Sequence, residues 1–245
     1  MNLLGKVAIV TGASRGIGRA IALRLGQDGA TVVVNYAGNA EKAEEVVTTI
    51  EQAGSRALRV QADVSKVADV RRLFDTTIDQ FQRLDILVNN AGVILYKPMV
   101  DIQEEEFDRI MGINVKGTFF ACQQAAKRMS NGGRIINFSS STTAMMLPTY
   151  TAYVATKGAV EQLTHVLAKE LGPRKITVNA ISPGPTDTEL FSEGKTEQEK
   201  QRLGQLSAFG RLGQPEDIAS VVSLLVSDDA QWITGQNIRA NGGTI

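Results

Sequence analysis

Seven short runs rich in β-branched residues punctuate the chain: VAIVTG (7 to 12), TVVVNY (31 to 36), ALRVQADV (57 to 64), LDILVNNAG (84 to 92), RIINFSS (134 to 140), ITVNAISPG (176 to 184) and QNIRANGG (236 to 243). Between them lie longer amphipathic stretches such as AEKAEEVVTTIEQAG, KVADVRRLFDTTIDQF and AVEQLTHVLAKELG, the last closed by Gly172 and Pro173. Strand-length runs alternating with helical periods read as repeated βαβ units. Parallel strands of that kind are covered on both faces. The pattern therefore predicts an α/β architecture, one doubly wound parallel sheet of about seven strands with helices on both faces. At 245 residues and 43% hydrophobic content the chain can fill the core such a sheet needs. No repeat, low-complexity tract or Pro/Ser-rich linker divides it, so residues 1–245 are expected to form a single domain. One stretch breaks the rhythm. Residues 186–213 follow the sixth run with charge, glycines and short helical pieces, and read as an excursion over the sheet edge.

Charge and rare residues remove several function classes. Lys plus Arg balances Asp plus Glu at 26 each, so bulk charge offers no hold on nucleic acid or an anionic membrane. The opening MNLLGKVAIVTG has no basic start followed by a long apolar stretch and cleavage site, and no apolar run reaches membrane-spanning length. A cytoplasmic location is expected. Cys122 is the only cysteine and His165 the only histidine. That excludes an internal disulfide, a zinc site built on several His and Cys ligands, and a cysteine–histidine nucleophile needing more of either. No metal site is expected, and Cys122, in an apolar helical run, reads as a packed thiol.

The first run leads directly into TGASRGIG, which places Gly12, Gly16 and Gly18 at a strand-to-helix turn. Small residues there let the backbone approach a pyrophosphate, and the following helix offers free amide groups and the positive end of its dipole. The spacing Gly-x-x-x-Gly-x-Gly departs from Gly-x-Gly-x-x-Gly, and no Gly-Lys-Ser/Thr ending follows, which argues against phosphoryl transfer. Further along, YTAYVATK (150 to 157) sets Tyr153 four residues before Lys157, on one face of a helix. A free tyrosine titrates near pH ~10, and a nearby cation is expected to lower that value by favouring the phenolate. Tyr150 lies seven residues from Lys157, about 10 Å along a helix axis, and reads as a pocket wall.

Together these residues resemble the classical short-chain dehydrogenase/reductases over essentially the whole chain. TGASRGIG looks like that family's cofactor loop, and NNAG (89 to 92) like its structural motif after the fourth strand. Asn114 resembles its helix asparagine, Ser140 its serine, Tyr153 with Lys157 its active pair, and SPG (182 to 184) its nicotinamide-side turn. The resemblance implies a Rossmann fold and an NADPH-dependent carbonyl reductase that turns a ketone into a secondary alcohol, reversibly, by hydride transfer. It makes Tyr153 the general acid/base, Lys157 its tuner, Ser140 the anchor of the substrate oxygen, and Asn114 the holder of a water that links Lys157 to solvent. Of three adjacent serines, Ser140 is selected because the family places its serine thirteen residues before the tyrosine. Ser139 and Ser141 are expected to satisfy backbone groups at a strand end.

The resemblance also assigns the cofactor contacts. They are expected from Gly12, Ser14, Arg15, Gly16, Ile17 and Gly18 in the loop, and from Asn35 and Tyr36 at the end of the second strand. Asp63 and Val64 would meet the adenine; Asn90, Ala91 and Gly92 follow the fourth strand. Tyr153, Lys157, Pro183, Gly184, Thr186 and Thr188 complete the set. An NAD-preferring site usually ends its second strand on an acidic residue, and this chain has Asn35 there. With Arg15 placed to meet a 2′-phosphate, NADP(H) is the expected cofactor and NAD(H) the less favoured one.

The apolar segments Ile94-Leu95-Tyr96 and Met145-Met146-Leu147 are expected to line a pocket for a small carbonyl or alcohol substrate, with contacts from Leu95, Tyr96, Met145, Met146 and Tyr150. Phe191, Leu203 and Leu206, on the 186–213 excursion, would close over it as a lid. Two alternatives stand beside a reductase of free ketones. The resemblance extends to 3-oxoacyl-[acyl-carrier-protein] reductases of fatty-acid synthesis, for which Lys127, Arg128 and Arg174 would supply a basic patch, although the turn before RIIN is the uncharged Asn131-Gly132-Gly133. A non-catalytic dinucleotide-binding redox sensor is the other, and four intact active positions count against it. The helices around MGINVKGTFFACQQAAKRM and YVATKGAVEQLTHVLAKEL look more apolar than one sheet face requires; the family pairs these helices between subunits, which implies a homotetramer.

Overall fold

All seven runs contain strands in the computed structural model of the chain, which describes residues 2–193 and 195–245. Gly194, within the expected excursion, lies outside the described residues. The strands are β1 (Val7–Val10), β2 (Thr31–Tyr36), β3 (Ala57–Gln61), β4 (Ile86–Asn89), β5 (Arg134–Phe138), β6 (Thr177–Pro183) and β7 (Asn237–Ala240). They pair in parallel in the order β3-β2-β1-β4-β5-β6-β7. The helices are α1 (Gly16–Gln27), α2 (Ala40–Gln52), α3 (Val67–Phe81), α4 (Glu104–Met111) and α5 (Thr118–Arg128). After them come α6 (Thr142–Met145), α7 (Thr151–Leu171), α8 (Glu189–Ser192), α9 (Glu197–Gly204) and α10 (Pro215–Val226). No helix among the described residues is long and apolar enough to cross a membrane.

Successive strand residues point to opposite sides, and both sides are covered. Ala8, Val10, Val32 and Val34 meet Ile21 and Leu25 of α1, Val46 and Ile50 of α2, and Val222 and Leu225 of α10. Ile9, Val33, Leu87, Ile135 and Val178 meet Leu73 and Phe74 of α3, Ala125 of α5, and Leu167 and Leu171 of α7. Each large side chain buried there contributes about 1.5–3 kcal/mol. Two apolar faces explain why the strand sequences lack an alternating polar pattern.

This topology positions the site. The chain leaves β1 toward β2 on one side, and β4 lies on the other, so the loops after β1 and β4 diverge and open a crevice at the carboxyl ends of the strands. Because every pairing is parallel, the segments after β1, β4, β5 and β6 gather on that same edge. The turn Asn131-Gly132-Gly133 before β5 falls on the opposite edge. Between α4 and α5 the helix widens into a π segment, Gly112–Gly117. Its Asn114 accepts from the Val93 amide at 2.9 Å, and donates to the Val93 carbonyl at 2.9 Å and to Thr156 Oγ1 at 3.0 Å. Single π turns of this kind are frequent at functional sites. The excursion leaves at Thr186 and returns at Gly213, where the two pair in a parallel bridge.

Candidate active site

Helix α7 is fastened along the end of β5 by its side chains. Asn137 donates to Thr164 Oγ1 at 2.9 Å, and Lys157 Nζ donates to the Phe138 carbonyl at 2.8 Å. Ser139 donates to Glu161 Oε1 at 2.5 Å, and the Ser140 side chain faces the Tyr153 hydroxyl. Four consecutive residues thus each meet a different turn of one helix. Of the three serines, Ser140 alone meets Tyr153; Ser141 bonds the Ser182 carbonyl at 3.2 Å, as a strand-end residue is expected to do. Ser139 departs from that expectation, because the carboxylate of Glu161 competes better for its proton than a backbone carbonyl.

Tyr153 and Lys157 are both buried. With the protein's own groups alone, burial holds the tyrosine hydroxyl above the ordinary tyrosine range, opposed by the Ser140 side chain. Lys157 does not reverse this, since its ammonium is directed at Phe138 and stands 5.5 Å from the Tyr153 ring centroid. Burial lowers Lys157 to about 8, so at neutral pH it is mostly charged. Tyr150, at the start of α7, packs edge-on against Tyr96 at 4.9 Å and is pushed up to about 12, mainly by burial. Cys122 is an inert buried thiol raised to about 12 by burial.

A cavity of about 610 Å³ runs from this row to the glycine loop. Gly12 and Gly16 have φ of +63° and +53°, a region that side chains other than glycine's disfavour. A Cβ on Gly18 would lie 2.3 Å from the Gly12 carbonyl oxygen and 2.4 Å from Asn90 Nδ2. Asn90 itself donates to the Thr11 and Gly12 carbonyls at 2.9 and 3.1 Å, tying the loop to β4. At the far end two cations, Arg15 and Lys42, line the cavity and share one carboxylate. Glu189 accepts from Lys42 Nζ at 2.7 Å and pairs with Arg15 at 3.5 Å, and both hold its carboxyl below the usual range, Lys42 the more strongly. A narrow backbone cradle followed by two cations fits a dinucleotide carrying an additional phosphate.

A family model described as enoyl-(acyl carrier protein) reductase matches residues 12–244. An uncharacterised oxidoreductase of Methylorubrum extorquens strain AM1 is 48% identical over 244 residues, 99% of this chain and 98% of that protein. Versicolorin reductase of Emericella nidulans is 43% identical over 254 residues, 99% of this chain and 96% of that protein. The crystal structure of the angucycline C-6 ketoreductase LanV with bound NADP superposes with a TM-score of 0.94 at 46% identity, covering 99% of this chain and 96% of that one. The chain belongs to the short-chain dehydrogenase/reductase family.

In this short-chain dehydrogenase/reductase the cavity wall includes all the positions expected at the cofactor, from Gly12, Ser14, Ile17 and Tyr36 to Asp63, Val64, Ala91, Gly92, Pro183, Gly184, Thr186 and Thr188. Asn35 lines the cavity as well, and takes part in building it. Its side chain is buried, accepting from the Gly12 amide at 3.2 Å and donating to the Ala62 carbonyl at 3.0 Å, so its polar groups brace the glycine loop and the segment after β3. Asn114 also sits behind the wall, held by Val93 and Thr156. On the substrate side Ile94, Tyr96, Met145, Leu147, Tyr150, Phe191 and Leu203 line the cavity. Leu95 does not; it packs beside Ile110, Ala152 and Tyr153. Met146 is 77% exposed, turned outward at φ +52° where α6 ends, and Leu206 also lies off the wall.

Of the three residues of the expected basic patch, Lys127 is exposed, while the two arginines are engaged within the fold. Arg174 is bonded to the Ala126 and Met129 carbonyls and to Asn131, and Arg128 to Gln124 and Asp75. Those contacts brace the turn into β5, on the edge opposite the cavity. Sequence reasoning missed Lys42, Glu189 and Glu161. The one signal available for Lys42 was its place in the first turn of α2, where Asn39 accepts from its amide.

Proposed function

We propose that this short-chain dehydrogenase/reductase reduces free hydrophobic ketones to secondary alcohols with NADPH, reversibly, Tyr153 exchanging the proton. The observation that carries the reading is that Ser140, Tyr153 and Lys157 stand together on one cavity wall, the Lys157 ammonium 5.5 Å from the Tyr153 ring centroid. When bound, the reduced nicotinamide supplies the hydride. Ser140 and Tyr153 hold the ketone oxygen from two sides as charge develops on it. Burial keeps Tyr153 protonated, ready to donate to the forming alkoxide, with the mostly charged Lys157 5.5 Å from its ring. Asn114 holds the wall at Val93, and the turn of α7 at Thr156. The names of two relatives support a ketone substrate: versicolorin reductase, and LanV, a C-6 ketoreductase solved with NADP and rabelomycin.

The substrate reading is tested by following NADPH consumption with alkyl and aryl ketones, an acetoacetyl carrier protein and a crotonyl carrier protein. Free ketones are expected to show the highest kcat/KM, and Met145→Ala to alter preference among them while Met146→Ala does not. A strong advantage for either carrier substrate, lost at high salt, would overturn the reading; the crotonyl case would favour reduction of an enoyl group.

The NADPH preference rests on Arg15 and Lys42. Replacing either by alanine is expected to weaken NADPH about tenfold and NADH less than about twofold, since only NADPH carries a 2′-phosphate for a charge-assisted hydrogen bond. Glu189→Gln should tighten NADPH, because it removes the carboxylate that pairs with the same cations. Equal weakening of both cofactors, measured by fluorescence titration, would leave Arg15 and Lys42 a structural role only.

A further inference from the structure

Glu161 lies outside the cavity wall, one helical turn beyond Lys157, yet it touches both flanks of the serine that faces Tyr153. Its Oε1 accepts from Ser139 Oγ at 2.5 Å and from Thr143 Oγ1 at 2.9 Å, residues at positions −1 and +3 from Ser140. A carboxylate is acceptor-only and can take two hydroxyl protons on one oxygen, with bonds shorter and stronger than those to a neutral acceptor. The Ser140 carbonyl, 2.9 Å from Thr143 Oγ1, shares the single proton of that hydroxyl with Glu161, and Ser140 Oγ accepts from the Thr142 hydroxyl at 2.8 Å and amide at 3.2 Å. The loop is therefore closed on itself around Ser140 and fastened to α7 at one carboxylate. Tyr153, Lys157 and Glu161 follow one another at intervals of four along that helix. The helix that presents the tyrosine thus also carries the group that holds the serine.

We propose that Glu161 is a positioning residue: by clamping Ser139 and Thr143 it holds the Ser140 hydroxyl toward the cavity beside Tyr153, so that both reach one substrate oxygen. The inference rests on the ketone-reduction reading above. Displacing a group that orients a reacting atom by about 1 Å costs up to about 100-fold in rate, whereas the distant adenosine end of the cavity is untouched. Nothing in this role requires the carboxylate to meet substrate.

The test is a double-mutant cycle on the purified protein. Glu161→Ala is expected to lower kcat for a ketone by about 10- to 100-fold, with the NADPH Kd changed less than about twofold. Glu161→Gln, which keeps an acceptor oxygen, is expected to recover most of that loss. In a Ser140→Ala background Glu161→Ala should cost less than about twofold more, since residues acting as one unit are not additive. Full additivity, a parallel fall in NADPH affinity, or a glutamine variant no better than alanine would each overturn the proposal. Should Glu161→Ala fail to fold, Ser139→Ala combined with Thr143→Val removes the same clamp from the other side and takes its place in the cycle. A second arm needs no turnover: amide hydrogen exchange at Thr142 should rise at least about tenfold in the clamp variants while the middle of α7 keeps its protection. Unchanged exchange would refute the clamp. A wild-type protein that reduces no ketone but shows the faster exchange in the variants would instead refute the ketone-reduction reading and leave the clamp standing.

Discussion

Tyr153→Phe is expected to lower ketone turnover by at least about 100-fold while leaving the fold and NADPH binding in place. The substitution deletes one oxygen and keeps the ring, which packs with Ile110 and Ala152. The hydroxyl faces the cavity beside Ser140, and no bond to another described residue fixes it to the fold, so little stability is at stake. The rate is another matter, because the forming alkoxide then faces a serine hydroxyl and no proton donor with a cation behind it. Tyr150→Phe provides the contrast. Its ring also reaches the cavity, but its hydroxyl meets Tyr96 and its ring centroid is 6.3 Å from that of Tyr153. That variant is expected to lose only a few-fold. Steady-state kcat with the NADPH Kd measured alongside decides the matter: equal losses at the two tyrosines would remove Tyr153 from its assigned role.

Gly18→Ala is expected to weaken NADPH by at least about 100-fold and to destabilise the protein by about 1–3 kcal/mol, the range for forcing a methyl into a packed site. The obstruction is backbone, which cannot swing aside: the new carbon would stand 2.3 Å from the Gly12 carbonyl oxygen and 3.0 Å from its carbon. The nearest side-chain atom, Asn90 Nδ2 at 2.4 Å, is the one that holds Thr11 and Gly12 to the β4 end. Either the loop or the start of α1 must move, and both form the cradle in which amide groups would meet a pyrophosphate. Thermal unfolding and NADPH titration of the variant check this together. A variant with unchanged Tm and Kd would show that the loop has slack which the contact distances do not contain.

Features confined to one stretch of chain were legible before folding was considered. The seven strands are short apolar runs, and the glycine loop is a turn whose conformational demands fall on its own residues. Tyr153 and Lys157 could be paired because helical spacing alone puts them on one face. The bracing role of Asn35 escaped for a reason particular to strands. Successive residues point to opposite faces, and a shift of one position decides whether a strand-end side chain meets a ligand or the neighbouring strand. Met146 escaped similarly: whether it shares the direction of Met145 depends on where a four-residue helix stops.

The contacts that make the site electrostatic belong to tertiary structure alone. Lys42 and Glu189 are 147 residues apart, and Ser139 and Glu161 are 22 apart. In the sequence Glu161 is one charged residue of an amphipathic helix, with nothing to separate it from a solvated one. With the protein's own groups alone, burial likewise decides the direction for Tyr153, because the low dielectric around a packed phenol outweighs a lysine whose charge is directed elsewhere. Periodicity records which face of an element is apolar; it carries no record of which side chain on another element will stand opposite, since that follows from register and packing between segments joined only by the completed sheet.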